Sequence, residues 1–387
     1  MHNQKFVFAQ IVAFLDKEKF RYIVQTNDGD RYIKHFSCWN QLLTLMLGQL
    51  SARNSMRDLI NLLNAHPKKL YHLGVGTRVT LSNLSKANEQ RNSNIFKEFA
   101  VFMISIADKI QVKDVLHLEG HVYAFDSSTI DLCLSLFNWA EFRSTKGGIK
   151  LHMLYDVELQ IPAFFLVTTA KGHDSKVMDK IPYQSGAYYI FDRAYNAFKW
   201  LNLIHQTKAY FVVRAKTNLL YNIVSQKTEL EKNIRLDAQI ELTGTKPKKF
   251  YPQTLRMVRF WDEEKKREFT FLTNNNRLKA SKVALLYKQR WKVGLFYKWL
   301  KQHLQVKKFW GQSRNAVEIQ IYVAIITYCL VTVIKDKLQL QYSIYEILQI
   351  LGASLFDTTP LPELLSQTNF QNVKERDMND RQLMFDF

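Results

Sequence analysis

The chain has 387 residues, with 54 Lys and Arg against 35 Asp and Glu, a net charge of +19 and a pI near 9.6. Hydrophobic residues at 47% and aromatics at 13% exclude a disordered tail and provide for two or three cored domains, while the cationic surplus favours nucleic acid as partner. Cys38, Cys133 and Cys329 are isolated, which excludes a disulfide scaffold and a Cys-x-x-Cys zinc site and points to a reducing cytoplasm.

Residues 1–118 read as a helical N-terminal domain. The first ten residues lack the basic-then-apolar layout of a signal peptide. Leu42, Leu43, Met46, Leu47 and Leu50 recur at helical spacing, Ser51-Ala-Arg-Asn breaks the pattern, and Met56, Leu59, Ile60 and Leu63 resume it. Two helices joined by a polar turn are compatible with a DNA-reading pair, with Arg53 and Arg57 available for phosphates; the same pattern also describes an ordinary packing unit. Thr80 is placed to cap a further helix through Leu84 and Ala87, and Ile95, Phe96, Phe99, Phe102 and Met103 form an apolar stripe.

From residue 120 the period changes. Val122–Phe125, Ile149–Tyr155, Ala163–Val167, Tyr188–Phe191 and Tyr210–Val213 read as strands, with a helix over Ala194–Gln206. Asp126 and Asp192 each close such an apolar run. Residues 217–277 resume a strand-like pattern through Thr254–Trp261 and Glu268–Thr273, with a basic loop at Gly244-Thr-Lys-Pro-Lys-Lys249. Sixty residues is too long for a simple connection, so this is expected to be a β-rich insertion between core segments 119–216 and 278–340. The apolar run Ile321–Ile334 is shorter than a bilayer span and reads as a buried helix, so no membrane partner is expected. Residues 341–387 begin helical and end in a charged tail.

The segment Leu285–Lys301 reads as one helix. Tyr287, Arg290, Gly294 and Lys301 then fall within roughly 60° of one another on one face. A phenol, a guanidinium and an ammonium in a row suit phosphate, which Arg grips bidentately and Lys as a point charge. Leu286, Val293, Tyr297, Leu300 and Leu304 take the apolar side, where Tyr297 reads as core, and Lys288, Lys292 and Lys298 read as a solvated face. Two strand-end carboxylates beside a cationic helix suggest metal-assisted phosphoryl chemistry on nucleic acid.

These residues carry a resemblance. The chain resembles the insertion-sequence DDE transposases that bear the YREK signature, Tyr-x2-Arg-x3-Glu-x6-Lys, with every spacing kept and Gly294 standing where that family has its third acid. Asp126-Ser-Ser-Thr-Ile-Asp131 resembles the family's first-aspartate block, Asp192-Arg-Ala-Tyr195 its second, and Gln49–Asp58 an N-terminal region of one branch. The resemblance implies an α+β chain with a ribonuclease H-like mixed sheet. It implies catalytic and metal-ligating roles for Asp126 and Asp192, position 294 as the third catalytic position, and DNA phosphate contacts by Tyr287, Arg290 and Lys301. Mg²⁺, with Mn²⁺ able to substitute, is the implied cofactor. Double-stranded DNA of transposon ends and target is the implied partner, bound by a homodimer in a bacterial, nucleoid-associated cytoplasmic setting. His173-Asp174 resembles a recurring pair of the family and reads equally well as a loop hydrogen bond. Trp261, Trp291, Trp299 and Trp310 could stack on an extruded base or simply pack.

No Asp or Glu occurs from Phe269 to Val317, so no neighbour replaces the missing acid by a change of register, and His303 lies on the far side of the helix. Three readings of Gly294 stand in order: a decayed element, a relative working with two acids and water, and a protein that only binds DNA. A ribonuclease H-like nuclease without strand transfer is a further alternative.

Overall fold

A computed structural model of the chain describes residues 5–366, apart from 77, 111–115, 117, 144–145, 172–173 and 304–308. His173, Leu304 and the charged tail lie outside the described residues. The N-terminal helices are α1 (Val7–Val12), α2 (Lys17–Thr26), α3 (Cys38–Leu50), α4 (Met56–Ala65), α5 (Leu81–Gln90) and α6 (Asn94–Ala107). Strands follow: β1 (Val122–Leu132), β2 (Glu141–Arg143), β3 (Lys146–Asp156), β4 (Ile161–Thr169) and β5 (Tyr188–Phe191). Next come α7 (Phe198–Gln206), β6 (Tyr210–Arg214), β7 (Tyr221–Gln226), β8 (Ile234–Leu242), α8 (Thr245–Phe250), β9 (Leu255–Asp262) and β10 (Arg267–Thr273). The chain then turns helical through α9 (Ala280–Lys288), α10 (Trp291–His303), α11 (Arg314–Lys337), α12 (Ile344–Ser354) and α13 (Leu361–Ser366).

Among the described residues, ten strands join one mixed sheet in the order β2-β3-β1-β5-β6-β10-β9-β8-β7, with β4 on β3. The antiparallel set β1, β3 and β4, with β5 and β6 added parallel to β1, has the arrangement expected of a ribonuclease H-like core. Strands β7 to β10 continue the same sheet, because β10 pairs antiparallel with β6 through Phe271↔Arg214 and Leu272↔Val213.

The sequence explains the helical framework locally. Ser37 caps α3 with a reciprocal Asn40 contact, Thr80 caps α5 by accepting from the Asn83 amide, and Ser313 caps α11 by accepting from Ala316. Helix α3 is buried on nearly every side. A Cβ at Gly48 would stand 2.6 Å from the Trp310 ring and 2.9 Å from Leu59, so close packing explains this mid-helix glycine. Arg91 holds the start of α3 by donating to the Ser37 carbonyl and the Gln41 side chain, each at 2.9 Å.

Helix α11 is long and apolar enough to cross a membrane, but 94% of its apolar window is buried inside the fold. It is a core element: Gln49 donates to the Gln320 carbonyl at 3.0 Å and Tyr328 to the Gln160 carbonyl at 2.6 Å, which ties α3 and the β3–β4 turn to one rod.

Candidate active site

Strand pairing sets the first two acids. β1 and β5 run parallel with Val122↔Tyr188 through Phe125↔Phe191, and β5 continues into β6 with Phe191↔Val213. Asp126 and Asp192 are therefore the next residues on two adjacent strands, at the edge where the parallel pairing stops. Phe125 and Phe191 are fully buried, whereas both aspartates are half-buried, so the polar groups begin where the core ends. Asp126 was expected to end a strand, yet β1 runs on to Leu132 through antiparallel pairing with β3. What changes at Asp126 is burial, because the strand has there passed beyond its parallel neighbour.

The helix expected over 285–301 is two helices. The amides of Gln289, Arg290 and Lys292 bond the carbonyls three residues back, of Leu286, Tyr287 and Gln289. This tighter turn separates α9 from α10. Tyr287 thus belongs to the last turn of α9, Arg290 to the junction, and Gly294 and Lys301 to α10. Within α10, positions 294, 297 and 301 share a face, which runs along β1.

Two of the motif residues, Tyr287 and Arg290, reach the aspartates. The Tyr287 hydroxyl lies 3.1 Å from Asp192 Oδ1, and Arg290 Nη1 lies 2.8 Å from Asp126 Oδ2. The other Asp126 oxygen, Oδ1, accepts from the Ser127 amide at 2.8 Å. Lys301 Nζ donates to the Thr129 carbonyl at 2.8 Å, three strand positions beyond Asp126. Burial, then the Asp192 carboxylate, push the Tyr287 phenol up to about 12, so it keeps its proton at neutral pH and donates. For Arg290, burial opposes the charge, but Asp126 together with Tyr287 and Asp192 holds its pKa above the ordinary value. Arg290 Nε is buried with no partner among the described residues.

Gly294 is exposed, and a Cβ built there meets nothing within 4 Å. A longer side chain therefore has room at the position where the resemblance places an acid.

The Tyr297 hydroxyl is a functional group that sequence reasoning missed. Its ring is buried as expected, but its oxygen stands 2.9 Å from the Asp126 carbonyl and 2.8 Å from the Leu151 carbonyl. Helical periodicity reads only the apolar body of a tyrosine and carries no signal for its hydroxyl. Lys292 was expected on a solvated face; instead it is half-buried and donates to the Val157 carbonyl at 3.1 Å, with burial lowering its pKa. Lys288 and Lys298 are exposed as expected.

Arg53 and Arg57 lie away from this edge, at the α3–α4 turn and in the first turn of α4. Arg57 is exposed, while Arg53 Nε donates to the Ser51 carbonyl and its own carbonyl accepts from Trp310. Asp108, His121 and Asp156 offer ligand atoms within 4.8 Å of one another. They sit at the opposite end of β1, where Asp156 already accepts from the Glu158 and Leu159 amides and lies 2.9 Å from His121 Nδ1, so the cluster reads as a bonded turn.

Two partly exposed carboxylates on neighbouring strands offer hard oxygen donors, which suit a small divalent cation that keeps several waters.

Comparison with known proteins supplies the context. Residues 118–330 match the family model described as a transposase DDE domain, and residues 3–76 match a domain of unknown function (DUF4372). Transposase y4zB of Sinorhizobium fredii is 30% identical over 256 residues, covering 65% of this chain and 70% of that protein. The transposase for insertion sequence element IS5377 of Geobacillus stearothermophilus is 27% identical over 270 residues, covering 69% and 70%. That for insertion sequence element IS4SA of Synechocystis sp. is 26% identical over 309 residues, covering 76% and 79%. Among solved structures, a piggyBac transposase synaptic complex with hairpin DNA gives a TM-score of 0.48 at 13% identity, covering 100% of this chain and 86% of that one.

Proposed function

The chain belongs to the transposase DDE domain family of insertion sequences, enzymes that cleave DNA with divalent metal ions, and from that premise we propose how it works. It binds the terminal inverted repeats of its element as a homodimer in the bacterial cytoplasm and carries out Mg²⁺-dependent cut-and-paste transposition. The observation that carries this reading is the register of β1 and β5, which sets Asp126 beside Asp192 at the sheet edge faced by α10.

Asp126 and Asp192 would hold the cation. When bound it supplies positive charge to the oxygens that attack and leave phosphorus. The chain's own groups supply the rest. Tyr287, protonated at neutral pH, orients Asp192 through its 3.1 Å hydrogen bond. Arg290 has a buried Nε–H to give and a planar fork suited to a backbone phosphate. Lys301 adds a point charge further along β1. Arg53 and Arg57 would contact DNA at a distance from the reacting strand.

A second reading, a transposase-derived protein that binds DNA without cutting it, is favoured by one observation: no acid occurs from Phe269 to Val317, so position 294 brings no third carboxylate. The deciding experiment compares wild type, Asp126→Asn and Asp192→Asn on a duplex carrying the element's own end, with Mg²⁺ and with Mn²⁺. Cleavage that either substitution abolishes, with binding retained, supports the enzyme. Binding by all three proteins without cleavage by any supports the silent binder.

A further inference from the structure

We propose that Arg290 and a divalent cation are alternative partners of the Asp126 carboxylate, so that the cation takes Asp126 only as Arg290 leaves it. This rests on the reading of Asp126 and Asp192 as the cation-holding pair, and it adds how that pair is loaded.

Three observations carry it. First, each oxygen of Asp126 has a donor: Oδ1 takes the Ser127 amide and Oδ2 takes Arg290 Nη1, both at 2.8 Å. A cation binding through Oδ2 meets the guanidinium there. The pair is only about a quarter exposed, with 27% of the Arg290 and 26% of the Asp126 side chain accessible, so water does little to weaken it. Second, the buried Arg290 Nε makes no hydrogen bond among the described residues, although the guanidinium also lies near the Tyr287 hydroxyl and Asp192. A ligand with two oxygens could take Nε and a terminal nitrogen together, as the fork geometry of arginine favours. Third, the residue one helical turn beyond Arg290 is Gly294. A carboxylate four residues along would compete for the guanidinium. Glycine removes that competitor, and no other Asp or Glu lies between Phe269 and Val317. Across the site, Asp126 is the carboxylate that Arg290 bonds.

The arrangement makes DNA the release. A backbone phosphate is a better match for the free Nε–H and its neighbour than a single carboxylate oxygen. Once Arg290 turns to phosphate, Asp126 Oδ2 loses that donor and the cation takes its place. DNA and cation then help each other to bind, as reciprocal linkage requires. Glycine at 294 sharpens this dependence, because without DNA the guanidinium has no other carboxylate on its own segment to turn to.

The test is a calorimetric titration of the full-length protein, without DNA, with MnCl₂ at fixed ionic strength. Wild type is compared with Arg290→Ala, Arg290→Gln and Asp126→Asn; the glutamine variant keeps bulk at the junction should the alanine variant not fold. Mn²⁺ should bind the Arg290 variants about fivefold to a hundredfold more tightly than wild type, the usual span of a coupling between two sites. Asp126→Asn should lose that binding. If Asp126→Asn loses it while the Arg290 variants bind no more tightly than wild type, the competition is overturned and the metal assignment stands. If Asp126→Asn binds as wild type does, the metal assignment falls and the competition with it. A crystal structure with Mn²⁺ on Asp126 and the guanidinium still hydrogen-bonded to the same oxygen would also overturn the proposal.

Discussion

The Tyr297 hydroxyl lies 2.9 Å from the carbonyl oxygen of Asp126, so the residue three positions beyond Gly294 grips the backbone of the first aspartate. The same hydroxyl reaches the Leu151 carbonyl at 2.8 Å, on the strand paired with β1. Tyr297→Phe keeps the apolar body and removes the hydroxyl that donates to the two carbonyls. It should cost about 1–3 kcal/mol of stability, the penalty for stranding a buried acceptor. DNA cleavage should fall further than the stability loss explains, because the Asp126 backbone is freed, while DNA binding is unchanged. Denaturant unfolding and a cleavage assay at a temperature where both proteins are folded check this. Reduced stability with an unchanged cleavage rate would confine the hydroxyl to the fold.

Arg256 predicts a pH effect. Its guanidinium meets Asp237 through Nε–Oδ1 at 2.6 Å and Nη2–Oδ2 at 2.7 Å, both side chains almost fully buried. Nη1 also donates to the Asn275 and Leu278 carbonyls, fastening the β8–β9 pair to the entry of α9. Burial raises the Asp237 pKa, but Arg256 and Lys227 outweigh it and the net shift is downward. A carboxyl with a depressed folded pKa adds stability above its unfolded value, near 3.9, and loses it as pH falls through the folded value. Arg256→Met should therefore destabilise by roughly 3–5 kcal/mol at pH 7, the cost of breaking a buried pair. The deficit should shrink below about pH 4 as Asp237 is protonated. Unfolding titrations of both proteins at pH 7 and pH 3 measure the two deficits.

How much of this was legible in the sequence depends on which interactions are local. The Thr80 cap, the β5 strand Tyr188–Phe191 and the buried run Ile321–Ile334 were readable, since caps and periodicity act over a few residues. Asp126 and Asp192 were legible because each follows an apolar run that ends where the core ends. The α9–α10 break was not, because Gln289-Arg290 carries neither proline nor glycine and an ideal helix was the simplest reading. The bonds from Tyr287 to Asp192, Arg290 to Asp126 and Tyr297 to Asp126 span 95, 164 and 171 residues, and nothing local encodes them. The same holds for Arg256 and Asp237, which only the antiparallel β8–β9 pairing brings together.

DNA binding should depend steeply on salt. With a net charge of +19, contacts to several phosphates release counterions, and affinity should fall by about a thousandfold or more between 50 and 200 mM salt if six or more phosphates are neutralised. Preference for the element's own end should survive that change, since it comes from contacts other than phosphate neutralisation. Titration of end-containing and random duplexes at matched salt reads both quantities. Equal affinity for the two duplexes would remove the terminal-repeat assignment and leave a general DNA binder.

The last expectation concerns Gly294. As it stands, the chain should cleave donor DNA poorly, and Gly294→Glu should improve cleavage on the order of a hundredfold to a thousandfold. That range follows because metal stabilisation of transition-state charge is worth several kcal/mol and about 1.4 kcal/mol makes each decade. The structure has room for the change, since a Cβ at 294 meets no atom within 4 Å and the position is exposed. Local propensity also favours it, because glutamate is a better helix former than glycine by under about 1 kcal/mol, so thermal stability should rise slightly. A glutamate there has two routes to higher activity: it adds an oxygen ligand near Asp126 and Asp192, and it gives Arg290 an alternative carboxylate four residues along. The routes separate in Arg290→Ala/Gly294→Glu. If the new acid acts as a ligand, Mn²⁺ binds this double variant more tightly than Arg290→Ala alone. If it acts only by drawing off Arg290, the two bind Mn²⁺ equally. Equal cleavage by wild type and Gly294→Glu, with DNA binding intact in both, would mean that position 294 is not the third catalytic position.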